Sequence, residues 1–192
     1  MKSVRLFVLG ATLFAAGCAA NYTAIDAAKP VTIGDNVSVI PQIAWAQAPR
    51  PGVSGTVWTA DGVALDALMF FPGVAPGQPL IQISGVDQKD LHVYRTDMVP
   101  DDVMELLTSN FGKLGYQQIR TSNLRPAPFG QTQGFRFDIT FSTQEGLAMK
   151  GMAIAAQRGG KLDLIIFMAP GEYYFGRYSD TVERIFSSIQ AS

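Results

Sequence analysis

The 192-residue chain has one cysteine, Cys18, and one histidine, His92. A single cysteine excludes an internal disulfide, so the hydrophobic core alone must hold the fold. The pair is also too few for the nitrogen and sulfur ligands of an ordinary zinc site. No Gly-Xaa-Ser-Xaa-Gly elbow is present for His92 to serve, and no Gly-rich phosphate loop is present either. His92 therefore reads as structural or solvent-exposed. Charged residues make up only 16% of the chain and form no clustered basic face, which argues against nucleic-acid binding. The N-terminal apolar run, Leu6 to Ala16, covers about eleven residues, well short of the roughly 20 that a spanning helix needs.

That short run sits behind Lys2 and Arg5 and ends in small residues, the layout of a secretory signal peptide. Its end, Ala15-Ala16-Gly17-Cys18, resembles the lipobox of bacterial lipoproteins, with Ala15 standing where Leu is the commoner residue. In that family a diacylglyceryl transferase modifies the cysteine and the lipoprotein signal peptidase cuts just before it. The resemblance implies a signal peptide over residues 1–17, with Ala15, Ala16 and Gly17 as the recognition residues. It also implies a lipidated Cys18 with a tether over residues 18–30, then one domain over residues 31–192. Two alternatives stay open: an ordinary signal peptide cut after Ala20, and an uncleaved anchor. More than one acyl chain on Cys18 would give stable membrane attachment, at about 0.8 kcal/mol per buried methylene. Ala19, rather than Asp, follows the cysteine and so resembles the outer-membrane class more than the inner-membrane class. The implied address is the cell envelope, facing the periplasm.

Without Lys2 and Arg5, 13 basic residues remain against 16 acidic ones, a net charge of −3. Apolar residues make up 47% of the chain, which argues for a packed globule and against disorder. Val31-Thr32-Ile33 and Val37-Ser38-Val39-Ile40 are short β-rich runs around a Gly34-Asp35-Asn36 turn. Asp61-Gly62, between Gly55–Thr59 and Val63–Phe71, predicts a second hairpin closed by Pro72-Gly73. Leu80–Ile83 reads as a further short strand. Trp58 could be a binding platform, although packing against the core is the better reading.

Pro100 to Leu114 predicts a helix. Pro100 suits the first turn, Asp101, Asp102 and Glu105 complement the helix dipole, and Val103, Leu106, Leu107, Phe111 and Leu114 make one apolar face. Tyr116–Asn123 reads as a strand ended by a loop from Leu124 to Gly130. Phe135, Phe137, Ile139 and Phe141 alternate with polar residues, the pattern of a half-buried strand. Leu147–Gln157 and Leu162–Ala169 follow, the last apolar on both faces and hence central, with Gly151 marking a bulge or close packing. Gly176–Gln190 is the second helix. Tyr173, Tyr174, Phe175 and Tyr178, at its start, either plug the end of the fold or line a groove.

The expected class is α+β: an antiparallel sheet sandwiched by helices, with an N-terminal β-hairpin region. From Met98 onward the order of a proline-opened helix, a meander and a final helix ending Val182-Glu183-Arg184-Ile185-Phe186-Ser187-Ser188-Ile189 resembles the PsbP-like fold. That family includes extrinsic subunits and small binding adaptors and is mostly non-enzymatic, which implies a non-catalytic module without a cofactor. No residue role carries over, because no site motif matches. Expected partners are the membrane through the lipid, and an envelope protein or a small apolar ligand. The alternative is a small envelope hydrolase using paired carboxylates, for which Asp87, Asp90, Asp101, Asp102 and Glu105 are the nearest supply.

Overall fold

A computed structural model of the chain describes residues 22–35, 37–49, 55–83 and 85–191. In chain order its strands and helices are β1 (Thr23–Ile25), β2 (Val31–Ile33), β3 (Val37–Val39), β4 (Trp45–Gln47), β5 (Thr56–Thr59), β6 (Ala67–Val74), α1 (Pro100–Lys113), β7 (Gln117–Phe129), β8 (Thr132–Ser142), β9 (Ala148–Arg158), β10 (Lys161–Pro170), α2 (Tyr174–Ser187) and β11 (Gln190–Ala191). Eight strands form one sheet in the order β1-β4-β5-β6-β10-β9-β8-β7, and β11-β3-β2 form a small second one. Every pairing is antiparallel.

The alternation read from the sequence decides the two faces of the large sheet. Leu162, Leu164, Ile166 and Met168 of β10 join Phe135, Phe137, Ile139 and Phe141 of β8 under the Val103, Leu106, Leu107 and Phe111 face of α1. Ile165, Phe167 and Ala169 turn the other way, towards Val182, Ile185 and Phe186 of α2 and Ile33, Val37 and Val39 of the small sheet. Gly151 is a point of close approach. A Cβ there would meet the Phe167 carbonyl oxygen at 2.7 Å and Ile139 Cγ2 at 2.8 Å.

The expected helix-sandwiched α+β class is overturned. Of the described residues 44% are strand and 19% helix, with two α-helices only. The reason is one of area. A helix of 14 residues is about 21 Å long and about 10 Å wide, whereas eight strands spaced about 4.8 Å apart are about 34 Å across. One helix cannot roof such a sheet. On one side Leu80, Ile81, Leu91, Tyr94 and Met98, from the stretch before α1, are also buried. On the other side the small sheet shares the work with α2.

Several element boundaries differ from the sequence reading. The tract from Leu124 to Phe129 is strand, not loop, because β7 is an edge strand, where proline is tolerated. Pro72-Gly73 lies inside β6, at a register irregularity opposite Asp163, whose carboxylate accepts from the Gly73 N–H at 2.8 Å. Leu80–Ile83 is not a strand; the Ile81 N–H donates to Asn110 Oδ1 at 3.4 Å. Thr23–Ile25, in the stretch read as tether, is the outermost strand and pairs with β4. α2 stops at Ser187, where Ser188 caps it, and the chain then pairs with β3.

The hairpin at Asp61-Gly62 exists, with β5 paired to β6, but its loop is longer than the two turn residues. Buried Asp66 organises it. Its carboxylate accepts from Thr59 Oγ1 at 3.0 Å, the Ala60 N–H at 2.6 Å and the Asp61 N–H at 2.8 Å. Removing that acceptor strands three donors, one buried and two partly buried. Asp66→Ala should therefore lower the unfolding free energy in urea by about 3 kcal/mol. Val63→Ala, in the same loop at an exposed position, should change it by less than about 0.5 kcal/mol.

Candidate functional site

The largely apolar opening on the α1 side is a groove of about 580 Å³ where the start of α1 meets the outer end of the meander. That volume falls within the range of about 300–1,000 Å³ typical of binding clefts. Met98 and Pro100 come from the α1 entry, Leu124 and Pro126 from β7, and Phe135 from β8. Met98 and Phe135 are buried at its floor and Leu124 is exposed at its rim, while Val99, between Met98 and Pro100 in sequence, is also exposed. Gln157 closes one side by donating to the Met98 carbonyl at 2.8 Å.

Local backbone rules shape this groove. β7 carries left-handed residues at Gln118 and Asn123, next to the register irregularities at Gln117/Arg120 and Ser122/Arg125. Bulges of this kind bend and twist a strand. Asn123 is fixed by a 2.7 Å bond from its amide to Asp138, and its carbonyl accepts from Arg125. Opposite, the Asp102 carboxylate accepts from the Val99 N–H at 3.0 Å and so sets the entry of α1. A polar hollow of about 660 Å³ lies elsewhere, among Thr32, Ser38, Gln131 and Gln190. Ile189 and Ala191 also line it, but its surface is less apolar than that of the groove and so offers less of the area that drives association.

The residues singled out from the sequence are mostly structural. Trp58 is fully buried, with its ring 4.6 Å from that of Phe70. His92 serves through its main-chain carbonyl, which accepts from buried Asn110 at 3.0 Å. Asp87 pairs with Lys89 at 2.9 Å, and that bond lowers its pKa, the opposite of what a general acid requires. Asp90, Asp101 and Glu105 are exposed, and Asp102 caps α1. Among the described residues no three of His, Cys, Asp and Glu form a metal set. Ala15, Ala16, Gly17 and Cys18 lie outside the described residues.

The aromatic cluster plugs one end of the fold. Phe175 stacks on Phe167 with centroids 5.9 Å apart. The Tyr178 hydroxyl donates to Asp61 at 2.6 Å and locks the hairpin loop to α2. Burial first, and then that bond, push the Tyr178 pKa upward. Only Tyr173 of the four is largely exposed, and Arg177 lies over its ring. Asn110 and Arg136 carry no signal in the sequence, because a polar side chain packed inside a fold reveals its partners only in three dimensions.

Arg136 crosses from β8 to α2, where it makes a bidentate pair with Glu183 and lies over the Phe186 ring at 5.0 Å. The hydrogen bond from Arg136 outweighs burial and holds the Glu183 carboxyl below its usual range. A lowered folded pKa contributes stability in full above the unfolded value of about 4.3. The contribution disappears as pH falls through the folded value.

No family model matches the chain, and no curated protein sequence matches it. Among solved structures, the solution structure of cyanobacterial PsbP (CyanoP) from Synechocystis sp. PCC 6803 is similar, with a TM-score of 0.53. The two are 13% identical, and the match covers 95% of this chain and 98% of that one. The likeness is one of fold: this chain has a PsbP-like architecture.

Glu183→Gln should cost about 1 kcal/mol at neutral pH, since the Glu183 side chain is 43% exposed and the pair is screened. The variant should also show a shallower loss of stability below about pH 5 than the parent. Urea unfolding across pH checks both.

Proposed function

We propose that the chain is a lipid-anchored, non-catalytic module of a bacterial cell envelope, facing the periplasm from the outer membrane. The observation that carries the reading is the run from Met1 to Cys18, with its charged start, short apolar middle and sole cysteine. The PsbP-like fold supports the non-catalytic half of the reading. So does the arrangement of Asp87, Asp90, Asp101, Asp102 and Glu105, each engaged in capping or ion pairing or turned to solvent.

Of the two kinds of partner, a protein suits the groove better than a small apolar ligand. The groove is open, its rim exposes Leu124, and an enclosed ligand would need walls on all sides. Exposed apolar rims of this kind mark protein contacts. An extended segment with one large apolar side chain would place it over Phe135 and Met98. Gln133, exposed at the rim, could meet its main chain.

Two outcomes are expected. Cys18→Ser should abolish palmitate incorporation in cells and release the protein from membranes; persistent labelling overturns the anchor. Leu124→Asp should reduce in-cell crosslinking to the partner about tenfold, the equivalent of about 1.4 kcal/mol, without loss of membrane attachment.

A further inference from the structure

The sheet order places the groove and the start of the domain at opposite edges. β1 opens at Thr23, five residues after Cys18, and is the outermost strand at one edge. β7, which supplies Leu124 and Pro126 to the groove, is the outermost strand at the other. Seven inter-strand steps separate them, about 34 Å at about 4.8 Å each. Five residues, even fully extended, reach about 18 Å at most. An anchor on Cys18 therefore holds the β1 edge close to the bilayer on a leash about half as long as the sheet is wide.

A short leash alone would still allow the domain to lie flat on either face. Charge separates the two faces. The layer that carries the groove, from Asp87 to Lys113, holds six acidic residues against Lys89, Arg95 and Lys113. Asp87, Asp90, Asp97, Asp101 and Glu105 of this layer are exposed. Anionic lipid headgroups repel such a layer within a Debye length, about 8 Å at physiological salt. The other face, around α2, is nearly balanced: Arg177 and Arg184 stand against Asp180 and Glu183. An upright domain and one resting on its α2 face both turn the groove away from the lipid.

We infer that the anchored domain is held by its β1 edge with the α1 layer and the groove directed away from the bilayer, so that the groove takes a protein segment from the periplasmic side and not a bilayer lipid. This rests on the proposed lipid anchor at Cys18.

The test uses the full chain, lipidated in cells and reconstituted into vesicles of phosphatidylethanolamine and phosphatidylglycerol at 3:1. With Cys18 blocked by its lipid, Ala24→Cys on β1 and Gln133→Cys on the groove rim, both exposed, each give one site for a fluorophore. Energy transfer to a headgroup-labelled lipid should be about threefold lower from position 133 than from position 24, since six inter-strand steps, about 29 Å, separate β8 from β1. Combining Gln133→Cys with Asp101→Lys and Glu105→Lys should raise transfer from position 133, because the repulsion is then removed. Equal or greater transfer from position 133 in the parent overturns the orientation while leaving the anchor intact. Failure of the protein to float with vesicles overturns the anchor, and the orientation with it. Quenching of a fluorophore at position 133 by short-chain phosphatidylglycerol bearing a nitroxide, with no effect at position 24, would assign the groove to lipid instead.

Discussion

A strand that is apolar on both faces cannot be satisfied by one layer, and this requirement on β10 governs the rest of the molecule. Its eight positions from Leu162 to Ala169 are all buried, and each large side chain hidden there contributes about 1.5–3 kcal/mol. The strand must lie inside the sheet, with β6 and β9 beside it and cover above and below. The one charge in this run, Asp163, is held by Arg158 at 2.9 Å and by the Gly73 N–H. A buried carboxylate would otherwise be very costly. α1 and the stretch before it answer one face, and α2 with the small sheet answers the other.

How much of this was legible depends on how local each signal is. The phenylalanines at 135, 137 and 141, the double apolar character of β10 and the capped amphipathic α1 all announce themselves within a dozen residues. β1, β4 and β11 do not, since two or three residues are too few to show a period and their pairing partners lie far along the chain. Proline misled twice, at Pro72 and at Pro126. Its missing donor rules out an ordinary ladder position but not a bulge or an outer edge. The helix-sandwich expectation failed for a related reason: amphipathic patterns count helices but do not measure the area they have to cover.

The groove was the least legible feature. Its lining comes from α1, β7, β8 and β9, and its key contributors were read as loop residues or as core. The signal available was the exposed apolar character of Leu124 and Val99, which have no neighbour in sequence that accounts for it. By contrast, the proposed attachment point was readable from eighteen residues, because a processing signal is a linear chemical address recognised before folding. The proposed role thus joins a feature written along the chain to one assembled only by the fold.

Pro126 and Pro128 carry a consequence of their own. They are two residues apart, so both nitrogens face the same side of β7, and pairing to β8 is unbroken from Arg125 to Phe129. The missing donors therefore fall on the outer side of the sheet. Molecules confined to a surface meet each other far more often than molecules in solution, and an open strand edge would then invite them to polymerise. This end of the edge is a poor template, so crowding in two dimensions would be less apt to seed a fibre from the side that carries the groove.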